Sequence, residues 1–317
     1  MTFSQEVKNE ILKSARKLQG AGAASFLTAV LKSAGSLTLA DGGFAFSLDS
    51  DNLEFLTLCK NLAFEQLNAD VSIATREKRS KSEHEHTCTF EASIGEKLGL
   101  TTRDDDGTLT LCDAAALIPR DPSAKRAFLQ GLFVSGGSVV IPMPDRDDQY
   151  SSNTLNTNYH LELRFTDEAF ATAVEEDFHE IDFHFLARKS HCVLYVKDSE
   201  KIADFLVYVN ATNAAFTLNN VIISRSMRNN TNRANNCDIA NIGKTVTAAG
   251  KQLEAIAKLR QMGVFDGLPD QLKDIALLRE KYKEATLDEI ADMLAISKSG
   301  ASHRFRKLIQ LAEGTKR

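Results

Sequence analysis

The sequence has no apolar run of the ~18–20 residues that a membrane span needs. Its opening, MTFSQEVKNEILKSARKL, holds no apolar stretch followed by a small-residue cleavage site, so it does not read as a secretory signal. A cytoplasmic location is the expectation. Cysteine is scarce: Cys59, Cys88, Cys112, Cys192 and Cys237 are odd in number, widely spaced and form no CxxC. That pattern excludes a disulfide frame and points to reduced, mostly buried thiols. Neither GxxxxGK[ST] nor GxGxxG occurs, so nucleotide hydrolysis has no support. Metal-ligand spacing is equally thin. His84, His86 and Cys88 in HEHTC would share one face of a strand, but a zinc site needs three or four converging ligands. No fourth is evident, and a polar strand edge is the better reading. His179, Asp182 and His184 in FHEIDFHF have neither ligand spacing nor a nucleophile partner and read as structural. No metal, cofactor or small-molecule substrate is expected.

Charge is modest overall and uneven along the chain. The net charge is −5. Residues 1–224 carry −11, residues 225–242 carry +2 and residues 243–317 carry +4. A basic C-terminal third on an acidic body is the asymmetry expected when one module meets a polyanion.

What the chain does have is core material and repetition. Its 317 residues are 43% hydrophobic and 26% charged, enough for two globular domains. FLTAVLKSAGSL at 26–37 and FLQGLFVSGGSV at 128–139 resemble each other at an offset of 102. Phe26/Phe128, Leu27/Leu129, Ser33/Ser135, Gly35/Gly137 and Ser36/Ser138 recur in register. Each copy reads as an apolar helix closing on small residues, followed by strands and further helices in the order αββαββα. The first includes a hairpin turning at Asp41-Gly42-Gly43. We expect an α+β fold: a duplicated domain over 1–224 with repeats at about 20–112 and 122–210, then an Asn/Arg-rich linker at 225–242, then an all-α domain over 243–317.

The all-α domain has punctuation of its own. Thr286 followed by Glu289 is a capping box. Leu287, Ile290, Ala291 and Leu294 form a short stripe, Ala295-Ile296 turns the chain, and Ser297 caps a second helix. There Ala301, Phe305 and Leu308 make the buried face, while Ser299, His303 and Arg306 project almost opposite, flanked by Ser302 and Lys307. This is a helix-turn-helix pattern over about 286–309. Ser299, Ser302, His303 and Arg306 are candidates for base edges. Ser297, Lys298, Gly300, Arg304 and Lys307 are candidates for phosphates. Gly300 costs the helix up to about 1 kcal/mol, which close approach to phosphate or base would put to use. The alternative is a solvated amphipathic helix.

In RNNTNRANNCDIAN, spacing i, i+4 links Arg228, Asn232 and Asn236; Asn229, Arg233, Cys237 and Asn241 form a second stripe. Asn is a poor helix former, so these residues oppose a local helix. They suit a hydrated linker helix supported from elsewhere, a hydrogen-bonded hub between domains, or direct nucleic-acid contact.

The repeated segments resemble the LAGLIDADG motif of homing endonucleases, in which two helices pack side by side and each ends in an acid that binds Mg²⁺. Those acid positions fall on Ala34 and Gly136, neither of which can ligate a hard cation. The chain as a whole resembles the WhiA family of bacterial sporulation and cell-division regulators. The resemblance runs through FSQEVKNEIL, both degenerate motifs, RNNTNRANNCDIANIGKTV, GLPDQLKDIALLRE and ISKSGASHRFRKL. Departures are Leu294-Ala295 where many relatives have a Pro pair, Ser302 where Asn is frequent, and Gly20-Ala21-Gly22 where a Cys pair is frequent. The resemblance implies a LAGLIDADG-like domain without nuclease activity and a helix-turn-helix that binds promoters. It leads us to expect a nucleoid-associated, sequence-specific regulator of cell division, chromosome segregation or sporulation. Its N-terminal domain would be a rigid platform for a protein partner or for modulating the DNA-binding module. The basic turn at 76–84 could touch phosphates, though the −11 charge of that domain makes a protein contact at least as good a reading. Two competitors stand beside it. One is an active Mg²⁺-dependent endonuclease using other acids, such as Asp41 or Asp145. The other is a protein- or RNA-interaction scaffold.

Overall fold

The computed structural model describes residues 1–40, 43–77, 84–106, 108–142 and 158–314. Asp41, Asp145, the side chain of His84 and most of the basic turn after Arg76 lie outside the described residues. The chain divides into two compact units, Met1–Ser224 and Arg225–Arg317.

The first unit opens with α1 (Phe3–Ala15), capped by a box between Thr2 and Gln5. It then runs α2 (Gly20–Ala34), β1 (Ser36–Ala40), β2 (Gly43–Ser50), α3 (Leu53–Leu67), β3 (Val71–Glu77), β4 (His84–Phe90) and α4 (Ile94–Lys97). A small hairpin, β5 (Thr101–Arg103) and β6 (Leu109–Leu111), precedes the second copy. That copy runs α5 (Pro122–Gly136), β7 (Gly137–Val140), β8 (His160–Phe165), α6 (Glu168–Asp177), β9 (His184–Ala187), β10 (Cys192–Val196) and α7 (Ser199–Tyr208). The two four-stranded antiparallel sheets share one order, β1-β2-β4-β3 and β7-β8-β10-β9. The fold is α+β, and α2 and α5 match in length as well as position. Each has 15 residues, and each closes on an extended glycine, Gly35 or Gly137.

These two helices form the centre of the unit. Phe26, Leu27, Val30, Phe128, Leu129 and Phe133 are fully buried along them. Small residues set their separation: a Cβ on Gly131 would lie 2.5 Å from the Phe26 carbonyl oxygen and 2.9 Å from Ala29 Cβ. The equivalent serines Ser33 and Ser135 meet with hydroxyls 2.7 Å apart. Each hydroxyl also lies within hydrogen-bond distance of a carbonyl one turn back in its own helix, Ala29 for Ser33 and Gly131 for Ser135; with one proton apiece, the two serines share these contacts.

The HEHTC segment is not a sheet edge. β4 is an interior strand, paired on both sides by β2 and β3. Cys88 is fully buried, and His86 is buried with Nδ1 2.8 Å from Thr75 Oγ1. Core packing, with a hydrogen bond for the imidazole, accounts for both positions. Among the described residues no group of three or more His, Cys, Asp or Glu could hold a metal ion. No described helix is long and apolar enough to cross a membrane.

The Asn-rich run is helical, against its local propensity. It lies within α8 (Thr212–Gln261), a helix of 50 residues. The reason lies in its ends. Ala214, Ala215 and Leu218 are buried in the first core, and Ala255, Ile256 and Leu259 in the second. Extending an anchored helix costs far less than nucleating one, and each Asn opposes it by under ~1 kcal/mol. The second unit completes its core with Phe265, Leu268, α9 (Asp270–Lys281), α10 (Leu287–Met293) and α11 (Lys298–Glu313).

Candidate nucleic-acid interface

The second unit builds its helix pair from local chemistry. Thr286 Oγ1 accepts from the Glu289 backbone at 3.2 Å, and the Glu289 carboxylate accepts from the Thr286 backbone at 2.7 Å. Hydrogen bonds from the Thr286 N–H and hydroxyl hold the Glu289 carboxyl below its ordinary range. After α10 the chain turns through Ala295 in the left-handed region, φ 52°. The Ile296 N–H donates back to the Ala291 carbonyl at 3.0 Å. Ser297 Oγ then accepts from the Gly300 N–H at 3.1 Å and starts α11.

Ile290 and Ala291 pack against Ala301, Phe305, Leu308 and Ala312, all buried. That leaves Ser299, His303, Arg306 and Lys307 exposed, with Ser302 and Arg304 half-buried beside them. Ser302, His303, Arg306 and Lys307 make no hydrogen bond or ion pair among the described residues. Their donors and acceptors are therefore available to a ligand.

Three of the phosphate candidates already have local work. Ser297 caps α11 and lies 3.0 Å from Ser299 Oγ. Lys298 Nζ pairs with Asp288 at 2.6 Å, both side chains being more than half exposed. An exposed pair of this kind contributes little, so a phosphate can compete for the ammonium. Gly300 has a structural use the sequence did not reveal: a Cβ there would crowd the capping Ser297 hydroxyl at 3.3 Å.

One residue that supports the interface went unnoticed in the sequence. Arg279 on α9 is 2% exposed. Its Nε donates to Gln252 Oε1 at 2.8 Å, and its Nη1 donates to the Ala285 carbonyl at 2.5 Å. The guanidinium also lies over the Phe305 ring, 5.3 Å from its centre. It thus ties α8 and the turn before α10 to the core side of α11. Burial pulls its pKa below the ordinary arginine value. The signal was present: Arg279 follows Ile275 by four residues, on the buried stripe of α9.

The first unit offers a contrasting site at the paired ends of α2 and α5. Ala34 is exposed there. At Gly136 a Cβ would meet the Arg164 carbonyl oxygen at 2.9 Å, so a side chain of any kind is cramped. Carboxylates on neighbouring elements are engaged elsewhere. Asp167 accepts from Lys32 Nζ at 2.7 Å and caps α6. Burial raises its pKa, but the Lys32 and Phe170 hydrogen bonds outweigh that and leave it below the ordinary value. Glu162 lies 3.3 Å from both His160 and Ser138.

On α8, Arg228, Asn229, Asn232, Arg233, Asn236 and Asn241 are all exposed. The first five make no hydrogen bond among the described residues, while Asn241 Nδ2 lies 3.9 Å from Cys237 Sγ, one turn back.

Comparison with known proteins agrees with this architecture. Residues 231–312 match the WhiA C-terminal HTH domain, and residues 23–83 and 125–228 match the WhiA LAGLIDADG-like domain. Two proteins named "Probable cell division protein WhiA", from Staphylococcus aureus strains USA300 and JH9, are 32% identical over 319 residues. The alignments cover 99% of this chain and 97% of each relative. Full-length DUF199/WhiA from Thermatoga maritima shares the fold, with a TM-score of 0.54 at 22% identity over 99% of this chain and 98% of that one. The chain belongs to the WhiA family, joining a LAGLIDADG-like domain to a C-terminal helix-turn-helix domain.

Proposed function

We propose that this protein is a sequence-specific DNA-binding transcriptional regulator of cell division, chromosome segregation or sporulation, and that it has no nuclease activity. The observation that carries the reading is the outward face of α11. Ser299, Ser302, His303 and Arg306 read base edges in the major groove. Lys298, Arg304 and Lys307, with the backbone at Ser297 and Gly300, hold phosphates. The protein is nucleoid-associated when engaged on promoters.

The N-terminal domain supplies a scaffold without the acids that hydrolysis would need at positions 34 and 136. Its −11 charge opposes avid DNA binding and favours a protein partner. Selection from a random duplex pool with Mg²⁺ present, sequencing both the recovered sites and their ends, tests the reading. An enriched motif on uncut DNA supports it. Cleaved ends would establish a nuclease, and binding without any enriched motif would leave an interaction scaffold.

A further inference from the structure

The exposed middle of α8 is polar, basic and unsupported by packing. From residue 226 to residue 244 every residue is exposed. At about 100° per residue, Arg228, Asn229, Asn232, Arg233, Asn236, Lys244 and Lys251 fall within roughly half of the helix circumference. Asp238, the one acid between residues 225 and 253, lies on the other half. Small residues, Ala240 and Gly243, sit between the cations on the same side. Arg228, Arg233, Lys244 and Lys251 make no hydrogen bond or ion pair among the described residues. Gln252, Ala255, Ile256 and Leu259, which are buried in the second unit, lie toward the opposite side.

We propose that this face of α8 is a second DNA-contacting surface, which lies along the phosphate backbone of duplex DNA independently of the α11 face. It rests on the reading that the chain binds duplex DNA, though not on which helix reads the bases. Charge complementarity favours this occupant. Four unpaired cations on one side of a helix, with the acid turned away, suit a polyanion, and Asn amides donate to phosphate and sugar oxygens as well as to bases. Residues 228–251 span about 36 Å at 1.5 Å per residue, roughly one turn of B-form duplex. Small side chains between the cations let the helix backbone approach closely. Ile239, Ile242 and Val246 are exposed and offer the competing occupant, a second copy of the chain.

The test uses the full chain and a random-sequence duplex of about four helical turns, which carries no preferred site. The slope of log affinity against log salt is measured for the wild type and for the triple variant Arg228→Gln, Arg233→Gln, Lys244→Gln. Each phosphate neutralised contributes about 0.9 to that slope, so the variant is expected to lose between about 2 and 3. Amide exchange over residues 226–248 is expected to slow on adding the duplex. An unchanged slope, no slowing of exchange, or no wild-type binding at low salt each overturns the proposal. So does slowing that follows protein concentration and not DNA, which would assign the face to a second copy. Arg306→Ala run in parallel on a selected motif tests α11 separately. A lost motif with the α8 slope effect intact strikes the α11 reading alone; an intact motif with no α8 effect strikes this one alone.

Discussion

The helix pair α2–α5 and the helix pair α10–α11 put small residues to opposite uses. In α2–α5, glycine, alanine and serine draw two helices together, and their polar atoms are consumed there: the Ser33 and Ser135 hydroxyls share their protons among each other and the Ala29 and Gly131 carbonyls. In α10–α11, Ala291 and Ala301 close the core, while the serines, His303 and basic residues of α11 turn outward. The first pair is finished within the chain. The second leaves hydrogen-bonding capacity that only something outside the chain can use. A substitution in the first pair should therefore change stability, and one on the α11 face should change binding.

The largest effect expected is at Gly131. Gly131→Val places atoms against the Phe26 carbonyl, where even a Cβ would lie at 2.5 Å. Overpacking of a backbone contact should cost about 3 kcal/mol or more. Denaturant unfolding of the variant, followed by probes in each unit, should show the N-terminal unit lost and the C-terminal unit unchanged. A variant as stable as the wild type would mean that the helices can separate without penalty.

Arg279→Ala is the counterpart in the second unit. It leaves Gln252 Oε1 and the Ala285 carbonyl without their donor and removes the contact with Phe305. The expected loss is about 2–3 kcal/mol. DNA affinity should fall with it, because the core side of α11 loses its support. Arg279→Lys should not restore stability, since one ammonium cannot reproduce the forked geometry. Full rescue by lysine would show that the charge alone matters.

What could be read in the sequence follows the same division. The 102-residue offset located both central helices because a duplication repeats its buried pattern, and Thr286 with Glu289 located α10 because capping is local chemistry. Arg279 escaped because an arginine reads as solvent-facing until its carbonyl partners are assembled from elsewhere in the fold. The interior place of β4 escaped because strand order is set by pairing between distant segments. The length of the helix through the Asn run escaped because its support lies in two cores, and not among its own side chains.

On the α11 face the comparison predicts the reverse signature. Arg306→Ala should leave the unfolding midpoint unchanged and weaken binding to a selected site by about 1–3 kcal/mol, with relaxed preference at one base position. Lys307→Ala should weaken binding to all duplexes and lower the salt slope by about 1. Titrations of each variant against matched and mismatched duplexes separate the two. Equal, sequence-independent losses would remove the distinction between base-reading and phosphate-holding residues.

The smallest effect is expected in the turn that joins the pair. Ala295 holds φ 52°, a conformation that costs an L-residue about 1–2 kcal/mol. Ala295→Gly removes that strain but gives the unfolded chain more freedom, which takes back about 0.4–1 kcal/mol. The net expectation is a gain of about 0.5 kcal/mol in the second unit. Proline, with φ held near −65°, cannot follow this turn, so Ala295→Pro should destabilise where glycine stabilises. Because Ala295 lies outside the α11 face, base preference should be identical in the glycine variant and the wild type. Thermal unfolding together with site selection checks both halves. A glycine variant with altered base preference would mean that the turn sets the angle at which α11 is presented, and that stability and recognition are not separable in this helix pair.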